Sequence, residues 1–269
     1  MPYVDSAGLR LFYTETGDGL PVLWHTGGCG DSTMWERAGY IAGLPGYRHI
    51  LFDHRGHGRS QAPPDMAGHH MARYVEDVVA VLDDAGIERA VLVGYSLGAG
   101  VGYAVAAAHP ERLAGLVGLD SIPDLSEQPA DLRNSAAEVM ANGTRAIIEQ
   151  MAATESEPPP AWLLDHLCAT EPAAFAGGYE AFATAPIFWR ATGRMTVPAL
   201  LLLGVGDEDQ DWWDQGQAAA AAMPDAHAVA LKGLRHLQAF WRTDLSLPPI
   251  KQFLAKLSTT SSCNFKTPG

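Results

Sequence analysis

The sequence has 269 residues, of which 47% are apolar and 18% charged, and it carries a formal net charge of −13. This length and apolar content can bury one large core, which excludes disorder throughout. The acidic balance argues against nucleic-acid partners, because phosphate recognition needs basic surface. Cys29, Cys168 and Cys263 are widely separated and lack the spacing of metal ligands. We therefore expect free thiols, no metal site and a reducing compartment, the cytoplasm.

The first residues of the chain lack the basic and apolar regions of a signal peptide. No apolar run approaches the roughly 20 residues that a membrane-spanning helix needs. We expect a soluble protein without a membrane partner, and the sequence leaves its oligomeric state open.

Strand and helix patterns alternate along the first 120 residues. Residues 3–16 alternate apolar and polar positions between glycines, which is typical of an antiparallel hairpin. Apolar runs typical of buried strands then alternate with helical spacings of apolar residues. The predicted strands are 20–24, 49–52, 90–93 and 113–119, and the predicted helices are 34–44, 74–85 and 97–109.

The segment 121–195 is rich in Ala, Glu and Pro and contains no strand-like run. We predict that it forms a helical cap, inserted after the sixth strand and lying over the carboxyl edge of the sheet. Its predicted helices are 127–140, 144–153 and 161–169.

Beyond the cap the alternation resumes with strands at 197–203 and 226–231 and helices at 215–223 and 247–257. This order predicts an α/β fold, with a mostly parallel eight-stranded sheet covered by helices on both faces. Residues 1–120 and 196–257 form the predicted core domain. The polar residues 258–269 form a predicted flexible tail.

The stretch 94–98, which reads GYSLG, places Ser96 between two glycines at the junction of a buried strand and a helix. This is the pattern of a nucleophile elbow, in which a strained turn pushes the serine hydroxyl out above the sheet. Gly94 and Gly98 are expected there because a Cβ would collide with the neighbouring strand and helix. The helix that follows points its free N–H groups at the site.

A serine hydroxyl becomes a useful nucleophile only beside a base, which a carboxylate must hold in the right tautomer. Both partners occur in loops after later strands. Asp209 lies in the loop after the strand 197–203, and His236 lies in the loop after the next strand. Asp120 directly follows an earlier strand and is a second candidate for the acid.

Five motifs follow predicted strands in a consistent order, and with them the sequence resembles the α/β-hydrolase superfamily, in its small cofactor-free branch of esterases and lactonases. They lie at 25–28, 53–60, 94–98, 206–209 and 233–236, and read HTGG, DHRGHGRS, GYSLG, GDED and GLRH. The resemblance covers residues 3–257 and is weakest in the cap. It implies an α/β-hydrolase fold, with no metal or organic cofactor.

The resemblance also implies a role for each site residue. Ser96 is the expected nucleophile, and His236 is the expected general base and then general acid. We favour Asp209 as the carboxylate that orients His236, and Asp120 is the alternative because some relatives place their acid there.

The expected oxyanion hole combines the backbone N–H of Leu97 with one from Gly27 or Gly28. Here the sequence departs from the family, because Thr26 and the run GGCG at 27–30 replace the commoner His-Gly start. Which glycine donates therefore stays open. Cys29 is expected to be a small buried thiol, and a thiol that faces the pocket is the alternative.

Aromatic residues in the cap and in loops near the site provide a candidate apolar substrate pocket, although packing of the cap on the core explains any one of them equally well. They are Trp35, Tyr95, Trp162, Phe182 and Trp189.

Four histidines outside the catalytic set are expected to be structural. His25 and His54 are predicted to tie their loops together by hydrogen bonds, and His69 and His70 are predicted to lie at a solvated helix start.

The expected function is hydrolysis of a small carboxylic ester or lactone through an acyl-serine intermediate. A serine at the elbow argues against haloalkane dehalogenases and epoxide hydrolases, which need a carboxylate nucleophile there. Carbon–carbon bond hydrolases, perhydrolases and hydroxynitrile lyases share the triad and remain alternatives. A non-catalytic ligand receptor on the same scaffold is the alternative from another class.

Overall fold

An eight-stranded sheet forms the centre of the computed structural model, which describes residues 3–123, 128–190, 193 and 195–264, with side chains as far as residue 259. Its strands lie in the order β1-β2-β4-β3-β5-β6-β7-β8. β2 is antiparallel to both of its neighbours, and every pair from β4 to β8 is parallel. The predicted mostly parallel sheet is confirmed. The strands are β1 Tyr3–Ser6, β2 Leu9–Thr16, β3 Leu20–His25, β4 Tyr47–Phe52, β5 Ala90–Tyr95, β6 Leu113–Leu119, β7 Ala199–Val205 and β8 Ala226–Lys232.

The α-helices of the core are α1 Thr33–Arg37, α2 Tyr40–Gly43, α3 Met71–Asp84, α4 Leu97–Ala108, α10 Gln210–Ala221, α11 His236–Trp241 and α12 Thr243–Asn264. Short 3₁₀ helices lie at Met66–His69 and Pro110–Arg112. The single helix predicted at 34–44 is instead two short helices. Gly39 separates them with a φ of +90°, a left-handed conformation that glycine adopts at little cost.

The sheet is buried on both faces because successive side chains of a strand point to opposite sides. Leu92 packs in a cluster that includes Val78 of α3. Its neighbours Val91 and Val93 pack in the opposite cluster, which includes Phe240 of α11. This continuous apolar character of β5 explains why a strand was predictable there from a short run of residues.

Between β6 and β7 the described residues form five helices and no strand. These are α5 Pro129–Asn142, α6 Thr144–Ala152, α7 Ala161–Cys168, α8 Pro172–Thr184 and α9 Pro186–Trp189. The sequence patterns indicated α5, α6 and α7 but missed α8 and α9. The division into a core and a separate cap at 121–195 stays a prediction.

The last helix extends seven residues beyond the predicted end at 257, as far as Asn264. Hydroxyl groups assist this extension, since Ser258 Oγ donates to the carbonyl of Leu254 and Thr259 Oγ1 donates to that of Lys256. Residues 265–269 of the predicted tail lie outside the described residues. Within the described part of the chain, no helix combines the length and the apolar character needed to cross a bilayer.

Candidate active site

Ser96 stands at the turn between β5 and α4 with φ +52° and ψ −114°, a strained conformation for a residue other than glycine. Its backbone N–H donates to the carbonyl of Leu119 at 2.9 Å, which fixes the turn against β6. A Cβ on Gly94 would overlap the carbonyl of Gly98, and a Cβ on Gly98 would overlap that of His25. The glycines at 94 and 98 are therefore required by contact, as the motif predicted.

His236 lies within hydrogen-bonding distance of Ser96. Its Nε2 is 3.2 Å from the Oγ of Ser96, and α11 begins at this histidine. The ring stacks on Tyr95, with 5.1 Å between ring centroids, and the hydroxyl of Tyr95 donates to the carbonyl of His236 at 3.1 Å. The residue before Ser96 thus fixes both the ring and the backbone of the histidine.

The carboxylate beside His236 belongs to Asp120 and not to Asp209, so the favoured acid was wrong. Nδ1 of His236 donates to Oδ2 of Asp120 at 2.6 Å. The other oxygen of Asp120 accepts from the N–H of Gly204 at 2.7 Å, and its backbone N–H donates to the carbonyl of Leu202 at the same distance. Asp120 is only 5% exposed and is held on β7 by two hydrogen bonds.

Asp209 lies farther along its loop, four residues after the end of β7, at the residue before α10, and its side chain makes no capping hydrogen bond to that helix. Its Oδ2 accepts from the N–H of Gly206 at 3.1 Å, so the carboxylate bends back onto its own loop. It lines the same cavity as the serine and the histidine without reaching the imidazole.

The charges around His236 favour its protonated form. Burial lowers the pKa of His236, but the hydrogen bond and the negative charge of Asp120, together with the charge of Glu155, outweigh it. The net pKa is raised above the ordinary value of 6.5. A histidine with this surrounding is a stronger base toward a hydroxyl proton.

The loop after β3 brings glycine backbone beside the serine. A Cβ on Gly27 would lie 3.3 Å from the Cβ of Ser96 and 3.2 Å from the ring of Tyr95, whereas one on Gly28 would meet Phe175 of α8. Gly27 is thus the glycine next to the serine. The carbonyl of Gly28 accepts from Nε2 of His57 at 3.0 Å, which holds the loop in place.

A cavity of about 500 Å³ opens over Ser96 and is lined by residues at the strand ends and by residues of the helices between β6 and β7. Both glycines, Leu97 and Cys29 line it, together with Tyr95 and Phe182 from the predicted aromatic set. Aliphatic and aromatic side chains of the helices also line it: Leu132, Ile148, Met151, Leu167, Phe175, Tyr179 and Trp212. The volume is in the range of small-molecule sites.

Three of the five predicted pocket aromatics do not line this cavity. Trp35 is fully buried and packs on Trp24, with ring centroids 4.8 Å apart. Trp189 is 2% exposed and its indole N–H points at the carbonyl of Gly100. Trp162 lies beneath the guanidinium of Arg37. For these three residues the packing alternative was right.

Sequence reasoning missed Phe175, Tyr179 and Trp212 as pocket residues. Phe175 and Tyr179 are four residues apart on α8, a helix that was not predicted, and this spacing places them on one face. Trp212 lies in the first turn of α10, directly after the loop of Asp209. The sequence signal that indicates Trp212 is its position soon after the carboxyl end of β7, because the site lies at that edge of the sheet.

The four histidines expected to be structural differ in how well the prediction describes them. Nδ1 of His54 faces the hydroxyl of Thr26, which joins the loop after β4 to the loop after β3 as predicted. Nδ1 of His25 faces the carbonyl of its own neighbour Thr26, so this contact joins no second loop. His69 is not solvated: it is 3% exposed, and its Nδ1 is 2.9 Å from the hydroxyl of Tyr74. Only His70 of that pair is exposed.

Comparison with known proteins gives matches in both sequence and fold. A family model described as alpha/beta hydrolase fold matches residues 21–159. A non-heme chloroperoxidase from Streptomyces lividans is 39% identical over 121 residues, which cover 44% of this chain and 43% of that protein. A bifunctional esterase/perhydrolase from Acinetobacter calcoaceticus is 36% identical over 129 residues, 46% of each. The solved structure of a thermophilic esterase from Thermogutta terrifontis, with malate bound, has a TM-score of 0.80 at 26% identity and covers 96% of this chain and 97% of its own.

The matched segments span less than half of each of the two curated relatives, so they do not carry a whole-chain activity across. The relatives also differ in the reactions that their names describe, as expected for a fold that hosts many chemistries. The family model covers about half of the chain, from β3 through the elbow and into the segment between β6 and β7. On this match and on the sheet around Ser96, the chain belongs to the alpha/beta hydrolase fold family.

Proposed function

We propose that the protein is a serine hydrolase that cleaves a small carboxylic ester or lactone through an acyl-Ser96 intermediate. The observation that carries the proposal is the continuous chain of contacts from Ser96 Oγ to His236 Nε2, at 3.2 Å, and from His236 Nδ1 to Asp120, at 2.6 Å. A base within reach of a hydroxyl, itself oriented by a carboxylate, is the arrangement that activates serine for acyl transfer.

In this mechanism His236 takes the proton of Ser96 as Oγ attacks the substrate carbonyl carbon. The imidazolium, stabilised by Asp120, then gives the proton to the leaving alkoxide, and the carbon–oxygen bond of the ester breaks. Water next attacks the acyl-serine, losing a proton to His236, and the histidine returns that proton to Ser96 as the acid is released. The N–H groups of Leu97 and Gly27 stabilise the oxyanion; losing one such donor typically lowers turnover by about 10²–10³-fold.

A second candidate reaction, perhydrolysis, is favoured by the similarity to an esterase/perhydrolase and a chloroperoxidase. It uses the same acyl-Ser96 intermediate, with hydrogen peroxide in place of water as the second nucleophile. The products then separate the two: the acid forms from water, and the peracid forms from peroxide.

The test is covalent labelling with a fluorophosphonate, read by intact and peptide mass spectrometry, followed by assays on nitrophenyl esters of increasing acyl length and on simple lactones. We expect one adduct, on Ser96, and turnover of at least one substrate class. Ser96→Ala is the control and must lose both. Folded protein that takes no label on Ser96 would instead support a ligand receptor on this scaffold.

The cavity wall predicts which aromatic residue affects acyl binding. Trp212→Ala is expected to raise KM for the longest accepted acyl chain about fivefold, with kcat changed less than about twofold, because roughly 1 kcal/mol of apolar contact is lost. Trp162→Ala is the matched control, since Trp162 lies outside the cavity under Arg37. Equal KM values in the two variants would show that Trp212 does not contact the acyl chain.

A further inference from the structure

A carboxylate of the cap reaches the segment that carries His236. Glu155 lies between α6 and α7, lines the cavity and is partly buried. Its Oε1 accepts from the backbone N–H of Leu237 at 2.8 Å, and its Oε2 accepts from that of Gln238 at 3.1 Å. Both oxygens of one cap side chain thus bind the two residues that directly follow the histidine.

The neighbour of Glu155 strengthens this attachment. The hydroxyl of Ser156 is 3.0 Å from Oε1 and 2.9 Å from Nε2 of the buried Gln238. It also lies 3.4 Å from the carbonyl of Gly233, and Gln238 Oε1 accepts from the N–H of Arg235. Residues 155 and 156 of the cap therefore hold the segment 233–238, on which His236 stands.

Glu155 also contributes charge to the site. Burial raises the pKa of Glu155, against the effect of its two backbone hydrogen bonds and of His236. The groups that face the imidazole are Asp120, Glu155 and the ring of Tyr95, and Asp209 and Arg235 line the same cavity. Among these, Asp120 and Glu155 are the two carboxylates whose charges act on His236.

We propose that Glu155 is a positioning residue through which the cap holds His236 toward Ser96, and that its negative charge favours the imidazolium formed when the serine gives up its proton. This inference rests on the proposed function, because it concerns the base of that reaction. If the inference holds, the strength of the base depends on the position of the cap. Movement of the cap away from the site would break two hydrogen bonds to the histidine segment and would withdraw one of the two negative charges that act on His236.

The test compares Glu155→Gln and Glu155→Asp with Glu157→Gln, a matched control that removes an exposed glutamate two residues away. NMR titration of the His236 ring, assigned by the loss of its signal in His236→Gln, gives the pKa without any substrate. We expect Glu155→Gln to shift the titration to lower pH by about half a unit, with Glu155→Asp closer to the wild type, because only the first loses the charge. Glu157→Gln is expected to leave the titration unchanged.

Ester turnover is the second measurement. For Glu155→Gln we expect kcat to fall about fivefold, KM to change less than twofold, and the acid limb of kcat/KM to move to lower pH with the NMR titration. The melting temperature of each variant checks that it is folded.

An unchanged titration in folded Glu155→Gln overturns the inference, as does a shift of equal size in Glu157→Gln. A shifted titration in a protein that hydrolyses no ester supports the role of Glu155 toward His236 and contradicts the proposed function instead. The two failures are therefore distinguishable.

Discussion

Asp120→Asn is expected to lower kcat by about 10³–10⁴-fold, whereas Asp209→Asn is expected to change it less than about threefold. An asparagine at 120 can still accept the N–H of Gly204, so the loop keeps its hydrogen bond. With its oxygen kept on Gly204, however, the asparagine turns its NH2 group toward His236 Nδ1, and this group donates and cannot accept the Nδ1 proton. The neutral amide also stabilises no imidazolium. The histidine then adopts the wrong tautomer toward Ser96, and the base is lost.

The two substitutions form a matched pair, because each removes one negative charge from the same cavity. Steady-state kinetics on the best nitrophenyl ester gives the comparison, and melting temperatures show that both variants are folded. A large loss in Asp209→Asn with an active Asp120→Asn would mean that the loop of Asp209 rearranges when substrate binds, and would reverse the assignment of the acid.

The sequence alone placed the serine and the histidine but could not choose the carboxylate. Ser96 is recognisable from a local pattern, since the two glycines and the strand-to-helix turn all fall within five residues of sequence. Asp120 and Asp209 both follow strands and both precede His236 in the chain, so order does not separate them. β6 and β7 are neighbours in the sheet, and the choice depends on how far each carboxylate lies beyond its strand end. Asp120 comes one residue after β6, and Asp209 comes four residues after β7.

The pocket was less predictable than the triad for a related reason. Aromatic residues are equally suited to a substrate wall and to a core, and only their three-dimensional neighbours separate the two. Trp35 packs with Trp24, Tyr40 and Phe240 beneath the site. Phe175 belongs to α8, whose weak periodicity hides a helix that is nearly buried all round. Long-range packing of the segment between β6 and β7 therefore determines the cavity wall.

The buried histidines predict a loss of stability in acid. Burial lowers the pKa of His25 to about 4 and that of His69 to about 4, from an ordinary 6.5. His25 is completely buried, and among the described residues its Nε2 has no hydrogen-bond partner, so a proton there would be uncompensated. Between pH 6.5 and pH 4 these two histidines are protonated in the unfolded chain but neutral in the folded protein. The contribution of these two histidines to stability is therefore fully present above pH 6.5 and is lost as the pH falls toward 4.

Each of these histidines is expected to contribute a slope of about 1.4 kcal/mol per pH unit, and a loss of about 2 kcal/mol at pH 5. His236 acts in the opposite sense, because its pKa is raised and its protonation favours the folded state. The pH dependence of the total stability therefore sums contributions of opposite sign. The contribution of one histidine is obtained from the difference between the wild type and a variant that lacks it. Urea titrations between pH 5 and pH 8 measure the free energy of unfolding of each variant. We expect His69→Gln to reduce the slope of this free energy against pH by about one proton, or about 1.4 kcal/mol per pH unit. His109→Gln, which removes an exposed histidine, is the matched control. If His69→Gln kept the full slope, His69 would already be protonated in the folded protein, which its burial against Tyr74 opposes.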